Sequence, residues 1–276
     1  MKILVTGAAG QLGGAIVQRY SSRADVMAVK RADLDVADTA AIEPFVVRHA
    51  PDVVINCAAY NNVDGAEDDP LAALRVNALG VKALAAAAAA ADAAFVHYGT
   101  DFVFDGVVDR AWSEEDEPSP QSVYAASKLL GEWFAADVRR HYVLRVESLF
   151  GGAARRSTVD RIAAAIRAGE PARVFVDRTV TPSFVDDVAD ATWALLEAHP
   201  PSGVYHCVNS GTTTWFELAR EIGRVLGIEP ELIATKVADV PMRAKRPQYA
   251  ALDNAKLARA GVPMPMWQNA LKRYLA

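Results

Sequence analysis

The sequence is poor in cysteine and has no basic block and no long apolar segment free of charge. Only two cysteines occur in 276 residues, Cys57 and Cys207, and each lies in an apolar run. This usage fits a reducing compartment better than a disulfide framework. Asp and Glu outnumber Lys and Arg by 34 to 29, which argues against nucleic acid or a membrane surface as a partner. No spacing of His, Cys, Asp and Glu suggests a metal site.

The one long apolar run, Val81 to Val96, contains Lys82 and Asp92 and consists mostly of alanine. Because alanine is the best helix former, the run predicts a helix packed on a sheet rather than a membrane span. We expect the N-terminal residues to form a core strand rather than a signal peptide. A hydrophobic content of 52% allows one large α/β domain with a smaller lobe. We therefore expect a soluble cytoplasmic protein with a small-molecule partner.

A glycine-rich turn near the N-terminus is the first candidate site. The strand Ile3 to Val5 runs into Gly7, Gly10 and Gly13, spaced G-x-x-G-x-x-G, and then into an amphipathic helix. Such glycines let the chain turn sharply and bring backbone N–H groups up to a pyrophosphate. Glycines also mark ordinary turns, but the strand before and the helix after are the context that the motif requires. The pattern predicts dinucleotide binding.

The end of the second predicted strand indicates which dinucleotide binds. Val26 to Val29 is followed by Lys30 and Arg31. An acidic residue there would bind the ribose 2′-hydroxyl of NAD, whereas a basic residue can hold the 2′-phosphate of NADP. The sequence therefore favours NADP(H), with NAD(H) as the second choice; the competing interpretation is a solvated basic pair. Asp33 and Leu34 follow, and we place them near the adenine.

Apolar runs and helical segments alternate along the next part of the chain. Val53 to Ala59 predicts a central parallel strand, and the polar residues 60–69 predict a loop. Ala94 to Tyr98 predicts another strand, which delivers Thr100 at its end. In a doubly wound sheet this end lies in the crevice where ligands bind. His97, within the strand, is interpreted as a core histidine rather than a base.

This alternation predicts an α/β fold, a Rossmann-type doubly wound parallel sheet with a smaller C-terminal substrate-binding lobe. Residues 1–150 form the expected NAD(P)-binding domain, rejoined by about 186–209. Residues 151–276 form mainly the substrate-binding lobe. In that lobe, the irregular stretch Pro241 to Pro247 carries Arg246, which is a candidate for binding a sugar-nucleotide pyrophosphate and equally a candidate for a solvated basic loop.

Tyr124 and Lys128 form the second candidate site. They stand at i and i+4 of a helix predicted to begin near Ser122, so they share one face about 6 Å apart along the axis. A nearby ammonium lowers the pKa of a phenol from about 10 and lets it exchange a proton near neutral pH. A lone Y-x-x-x-K is common by chance. Combined with the glycine-rich turn and with Thr100 and Asp101, it is specific.

With these motifs, the chain resembles the extended short-chain dehydrogenase/reductase superfamily and, within it, the dTDP-4-dehydrorhamnose reductase family. The resemblance spans the whole chain through VTGAAGQLGG, DVVINCAAYNNVDGAEDDP, HYGTDFVFDG, VYAASKLLGE, GVYHCVNSGTTTWFELA and RPQYAALDNAKL. It implies NAD(P)H-dependent reduction of a 4-keto-6-deoxy sugar on a dTDP carrier. By resemblance, Tyr124 donates the proton, Lys128 tunes the phenol and holds the nicotinamide ribose, and Thr100 bonds the keto oxygen.

The expected binding residues follow from the motifs and the resemblance together. Those for the cofactor are Gly7, Gly10, Gln11, Leu12, Gly13, Lys30, Arg31, Asp33, Leu34, Cys57, Ala58, Ala59, Tyr60, Asn77, Tyr124 and Lys128. Those for the nucleotide-sugar substrate are Thr100, Asp101, Phe102, Leu149 and Arg246. A homodimer is compatible with the sequence, which does not determine the oligomeric state.

Two positions depart from the family pattern. Phe102 stands where the family commonly has tyrosine, and Leu149 lies near a position where it commonly has tryptophan. Both are expected beside the sugar. The departures therefore leave the redox chemistry intact but leave the identity of the sugar undetermined.

Two other functions stay open. One is a non-catalytic NADP-binding subunit resembling the methionine adenosyltransferase β subunit. The other is a sugar-nucleotide epimerase or dehydratase, although dehydratases need an acidic pair where this chain has Asp101 and Phe102.

Overall fold

The computed structural model describes all residues 1–276 and contains twelve β-strands. They are β1 (Lys2–Thr6), β2 (Asp25–Val29), β3 (Val53–Asn56), β4 (Ala94–Thr100), β5 (His141–Val146), β6 (Leu149–Phe150), β7 (Ala172–Phe175), β8 (Thr179–Val180), β9 (Ser183–Phe184), β10 (Gly203–His206), β11 (Thr213–Thr214) and β12 (Leu232–Thr235). Six of them form one parallel sheet in the order β10-β5-β4-β3-β1-β2. The other six form three small two-stranded sheets.

Eleven α-helices surround these strands. They are α1 (Gln11–Tyr20), α2 (Thr39–His49), α3 (Val63–Asp68), α4 (Pro70–Leu74), α5 (Gly80–Ala90), α6 (Val123–Ala135), α7 (Thr158–Ala168), α8 (Val185–Ala198), α9 (Trp215–Leu226), α10 (Ala255–Arg259) and α11 (Trp267–Leu275). Helices cover both faces of the parallel sheet, which confirms the predicted Rossmann-type fold.

The two faces of the sheet bury separate apolar cores because side chains alternate along each strand. In β1, Ile3 and Val5 belong to the larger core, under α1 and α8, whereas Leu4 belongs to the smaller core, under α2 and α5. Every residue of β3 and β4 is buried. Their continuous apolar character is therefore that of central strands in a parallel sheet.

The alanine-rich segment forms the end of a long helical stretch. A π-helical turn, Arg75–Leu79, joins α4 to α5 and makes Pro70–Ala90 continuous over 21 residues. By length and composition this helix could cross a membrane, and half of its most apolar window is buried within the protein. Val81 and Leu84 are fully buried, and α5 packs between α2 and α6. The alanines allow the helices to approach closely.

The structure corrects several predicted boundaries. Residues 60–69 are not a loop, because α3 lies within them. The side chain of Asn62 caps this helix by accepting from the backbone N–H of Gly65 at 3.0 Å. The segment is polar because α3 is short and buries only Ala66. β3 ends at Asn56, three residues early, since the chain then leaves the sheet and the Asn56 side chain accepts from the N–H of Ala58.

Candidate active site

The glycine-rich turn between β1 and α1 admits no side chain at two of its glycines. Gly7 has φ +65°, in the left-handed region, and a Cβ there would lie 2.6 Å from the backbone nitrogen of Ala58. A Cβ on Gly13 would lie 2.4 Å from the carbonyl oxygen of Gly7. No side chain caps the N-terminus of α1, so its first backbone N–H groups face the turn without a side-chain partner. This geometry fits the pyrophosphate of a dinucleotide.

A cavity of about 390 Å³ lies beside this turn at the ends of β1 and β2. It is lined by Gly7, Ala9, Gly10, Arg31, Leu34, Asp35, Val36, Cys57, Ala58, Ala59, Tyr60, Asn61 and Val76. The apolar walls suit an adenine. The Arg31 side chain is 84% exposed, and its guanidinium pairs with Asp35 at 3.0 Å. Lys30 and Asp33, which were expected here, do not line the cavity. Instead the Asp33 carboxylate accepts from the backbone N–H of Lys30.

A second cavity of about 370 Å³ continues the first, since Gly10, Cys57, Ala59 and Asn61 line both. Its remaining lining is Gln11, Leu12, Gly13, Tyr98, Gly99, Thr100, Phe102, Tyr124, Lys128, Val146, Glu147, Ser148 and Leu149. We call this second cavity the catalytic cleft. It brings together Thr100, Tyr124 and Lys128 with the two departing positions, Phe102 and Leu149. The cleft and the glycine-rich turn thus form one continuous site.

α6 presents Tyr124 and Lys128 to the cleft. The Ser122 side chain caps the helix by accepting from the N–H of Ala125 at 3.2 Å, which places Tyr124 in the first turn and Lys128 one turn later. The Tyr124 hydroxyl lies 3.5 Å from Asn61 Oδ1, and its ring meets Phe102 edge to face at 5.5 Å.

The electrostatics of Tyr124 differ from the prediction. We expected Lys128 to lower the pKa of the phenol. In the structure, burial raises that pKa well above its ordinary value, the Asp101 carboxylate adds to the rise, and the nearby Thr100 hydroxyl only partly opposes it. Lys128 is not among the groups that shift it. The phenol is therefore held protonated at neutral pH, which suits a proton donor.

Thr100 and Asp101 form a hydrogen-bonded pair where β4 ends. Thr100 Oγ1 lies 3.0 Å from Asp101 Oδ1 and accepts from the backbone N–H of Phe102 at 3.2 Å. Asp101 is buried behind the cleft and does not line it. Burial, and then the nearby charge of Glu147, raise the pKa of the Asp101 carboxyl well above its usual range, while Arg178 opposes the rise. Asp101 is thereby shifted toward the protonated acid.

Lys128 lies deep in the cleft. Its Nζ donates to the carbonyl oxygen of Tyr98 at 2.5 Å and lies 3.5 Å from Nε2 of His97. Burial lowers the pKa of Lys128 to about 8, and the carboxylate of Glu132 opposes this. Glu132 is itself paired with the buried Arg145 at 2.8 Å. His97 is fully buried, as a core residue would be.

Sequence analysis missed several cleft residues, among them Asn61 and Glu147. Glu147 directly follows β5, and the rule that ligands bind at the carboxyl ends of parallel strands could have found it. Asn61 gave no such signal. Asn77 was expected at the cofactor but is fully buried. Its amide bonds both the N–H and the carbonyl of Tyr60, so it holds the loop that lines the cleft instead of lining it.

A third cavity, of about 500 Å³, lies between the C-terminal elements; we call it the arginine cavity. Arg161, Arg173, Arg178 and Arg246 line it together with Trp215 and other residues. The expected substrate residue Arg246 is here, outside the catalytic cleft, and its guanidinium binds Asp64 of α3 at 2.8 and 3.0 Å. Arg243 likewise pairs with Asp68. The segment around Arg246 is therefore anchored to α3 rather than solvated.

Comparisons with known proteins show which family the chain is similar to. The family model described as the RmlD substrate binding domain matches residues 1–276. A dTDP-4-dehydrorhamnose reductase from Streptomyces griseus is 36% identical and covers 97% of this chain and 91% of its own length. The crystal structure of a dTDP-4-dehydrorhamnose reductase from Clostridium acetobutylicum superimposes with a TM-score of 0.94 at 33% identity, covering 100% of this chain and 98% of that one.

A further solved structure was determined with a cofactor. It is the dTDP-4-dehydrorhamnose reductase from Bacillus anthracis in complex with NADP, which has a TM-score of 0.94 and 28% identity. The match covers 99% of this chain and 98% of that chain. The likeness therefore extends over both the glycine-rich turn and the C-terminal elements.

Proposed function

The chain belongs to the RmlD substrate binding domain family, and from this premise we propose that it reduces the 4-keto group of a dTDP-linked 6-deoxy sugar with NADPH. One observation carries the proposal. Thr100, Tyr124 and Lys128 line a cleft that continues into the glycine-rich turn of Gly7 and Gly13. The geometry of that turn fits the pyrophosphate of a dinucleotide. A candidate proton donor and a candidate cofactor site thus lie in adjoining cavities, as a ketone reduction by a nicotinamide requires.

The residues at the glycine-rich turn fit NADP(H), and NAD(H) is the second choice. The turn and the N-terminus of α1 would hold the pyrophosphate, and Leu34 and Val36 would contact the adenine. Arg31, exposed at the cavity rim, would pair with the 2′-phosphate. NADPH bound there supplies the hydride that reduces the carbonyl carbon.

Tyr124 provides the proton in this proposal. The raised pKa keeps the phenol protonated, so its O–H proton passes to the carbonyl oxygen as that oxygen gains negative charge, and a phenolate remains. Thr100 bonds the same oxygen. In the structure the Thr100 O–H donates to Asp101 Oδ1, so it would have to turn toward the carbonyl oxygen when the substrate binds.

The substrate would extend from the catalytic cleft into the arginine cavity. Phe102 and Leu149 line the cleft and would contact the sugar. Arg178 and Arg246 line the arginine cavity and would bind the diphosphate of the carrier. In this arrangement, residues 1–150, rejoined by about 186–209, form the cofactor lobe, and residues 151–276 form mainly the substrate lobe. Both cysteines are free thiols, which supports a cytoplasmic location.

The test is to follow NADPH absorbance with dTDP-4-keto-6-deoxy sugars as substrates. We expect oxidation of NADPH that depends on the sugar and that is lost in Tyr124→Phe. If wild-type protein binds NADPH but oxidises it with none of these sugars, the proposed activity is wrong and a non-catalytic NADP-binding subunit becomes the better interpretation.

A further inference from the structure

A buried chain of hydrogen-bonding groups connects the end of β1 to Lys128. Thr6 Oγ1 donates to Asn56 Oδ1 at 2.7 Å, Asn56 Nδ2 lies 3.1 Å from His97 Nδ1, and His97 Nε2 lies 3.5 Å from Lys128 Nζ. All four residues are buried. Thr6, Asn56 and His97 line neither cavity of the site, so their polar groups must find partners within the chain, whereas Lys128 also borders the catalytic cleft.

The direction of the chain is fixed by one backbone group. The N–H of Ala58 donates to Asn56 Oδ1 at 3.1 Å, and a backbone N–H can only donate. The amide oxygen of Asn56 must therefore face Ala58, and its amide nitrogen must face His97. Because an amide nitrogen also only donates, Nδ1 of His97 accepts.

This direction determines the tautomer of His97. Burial holds the pKa of the imidazole well below its ordinary value, and the charge of Lys128 lowers it further, so the ring is neutral. A neutral ring that accepts at Nδ1 carries its proton on Nε2. The Nε2–H therefore faces the nitrogen of Lys128.

If Lys128 were an ammonium, its N–H groups would face the Nε2–H of His97, and two donors would meet with no acceptor between them. Nζ already donates to the carbonyl of Tyr98, and an ammonium has no acceptor to offer His97. A neutral amine, in contrast, has a lone pair that accepts from Nε2–H while an N–H still donates to Tyr98. The arrangement of donors is thus complementary to the neutral amine.

We propose that His97 is a positioning residue: it presents Nε2–H to Nζ of Lys128 and so favours the neutral amine of this lysine over the ammonium. On protonation, Nζ must turn its N–H groups away from His97, toward Tyr98 and the cleft. The inference rests on the proposed function only in taking Lys128 as the lysine of the cofactor site.

The other titratable groups around Lys128 do not reverse the preference for the neutral amine over the ammonium. They are Tyr124 and Glu132 on α6, His97, Tyr98 and Asp101 on or next to β4, Cys57 after β3, and Arg145 and Glu147 on or next to β5. Burial raises the pKa of the Cys57 thiol and of the Tyr98 phenol, so both are neutral. Glu132 favours the ammonium but is neutralised by Arg145, and Glu147 is anchored by Thr181.

The test uses NMR of the full-length chain without NADPH. In ¹⁵N-histidine-labelled protein, long-range spectra distinguish the two neutral tautomers of each of the five histidines, and His97→Gln assigns the signal. We expect Nε2–H at His97 throughout the neutral range. In ¹³C-lysine-labelled protein, we expect Lys128 to titrate near about 8. An Nδ1–H tautomer, an imidazolium, or a Lys128 that titrates only near about 10.4 overturns the proposal.

A matched pair of variants tests the direction of the chain. Asn56→Asp offers only acceptors to His97, which must then donate from Nδ1 and accept at Nε2. Because Nε2 then accepts from the Lys128 ammonium, the titration of Lys128 should move up by about one pH unit or more. Thr6→Val leaves the Ala58 N–H in place and should leave the tautomer unchanged. An unchanged tautomer in Asn56→Asp contradicts the proposal. None of these readouts needs a substrate, so a failure to reduce keto-sugars would count against the proposed function alone.

Discussion

The guanidinium of Arg178 lies over the ring of Phe102, 5.7 Å from the ring centroid. Phe102 lines the catalytic cleft and Arg178 lines the arginine cavity, so this contact joins the two spaces. The guanidinium also has a buried Nε without a partner. A sugar nucleotide that occupies both spaces would pass this contact, and Phe102 is therefore well placed to affect which sugar is accepted.

Phe102→Tyr should raise activity on the ordinary 4-keto-rhamnose precursor, because the added hydroxyl restores a donor toward the sugar hydroxyls. We also expect wild-type protein to discriminate weakly among sugar hydroxyls on this side, or to prefer a more deoxygenated sugar. The measurement is kcat/KM for each dTDP-keto-sugar with both proteins. No change, or a fall, in the variant would mean that position 102 does not face the sugar.

Tyr124→Phe should lower kcat by about 10²-fold or more and leave NADPH affinity nearly unchanged, since it removes a general acid and little else. Thr100→Val should lower kcat by less, because one neutral hydrogen bond is lost and Tyr124 remains. Steady-state kinetics and NADPH titration separate the two effects. Full activity of Tyr124→Phe on the true substrate would show that the proton comes from another group.

Arg31→Ala should weaken NADPH binding about tenfold or more and hardly affect NADH, since a charge-assisted contact to the 2′-phosphate contributes roughly 1.5 to 3 kcal/mol. Because Arg31 is exposed, the NADPH preference of the wild type should shrink as salt is added. Lys30→Ala is the matched control, since Lys30 does not line the cavity. Equal affinity of wild-type protein for both cofactors would show that neither basic residue contacts the phosphate.

Gly13→Ala should weaken NADPH binding and destabilise the fold by about 1–3 kcal/mol, because its Cβ would meet the backbone of Gly7 at 2.4 Å. Gly14→Ala is the control in the next position of the same helix. There the nearest atom lies at 3.6 Å, and the better helix propensity of alanine should make the change neutral or stabilising. Thermal unfolding and NADPH titration check both variants. Equal behaviour of the two would contradict the tight packing of the turn.

The ion pair between Arg246 and Asp64 should stabilise the protein in a pH-dependent way. Arg246 lowers the pKa of the Asp64 carboxyl to about 2, below its unfolded value of about 3.9. The stabilisation is therefore fully present above the unfolded value and is lost as the pH falls toward about 2. Since Asp64 is partly exposed, Asp64→Asn should cost only about 0.2 to 1 kcal/mol at neutral pH.

Urea unfolding at neutral and acidic pH measures this difference. The control is Glu217→Gln, which removes the exposed partner of Arg220 on α9 and should change stability less. A difference between wild type and Asp64→Asn that persists below the folded pKa would mean that the carboxylate charge is not its cause.

The sequence by itself determined what depends on neighbours along the chain. The intervals among Gly7, Gly10 and Gly13 predicted the strand, turn and helix that the structure contains. The four-residue interval from Tyr124 to Lys128 predicted that both lie on one helical face, and both line the cleft. Continuous apolar runs that alternate with helical segments predicted the parallel sheet. Each of these signals is local, because backbone geometry alone converts the spacing into a shared face or a turn.

Tertiary structure alone decided the charges and the distant contacts. Sequence reasoning assigned Lys128 the task of lowering the pKa of Tyr124, but burial and Asp101 raise that pKa. It also left Arg246 undecided between pyrophosphate and solvent, whereas Asp64, far away in the chain, holds it beside α3. The pKa of a group is set by the solvent that folding removes and by the charges that packing brings near, and neither is encoded in the spacing of residues along the chain.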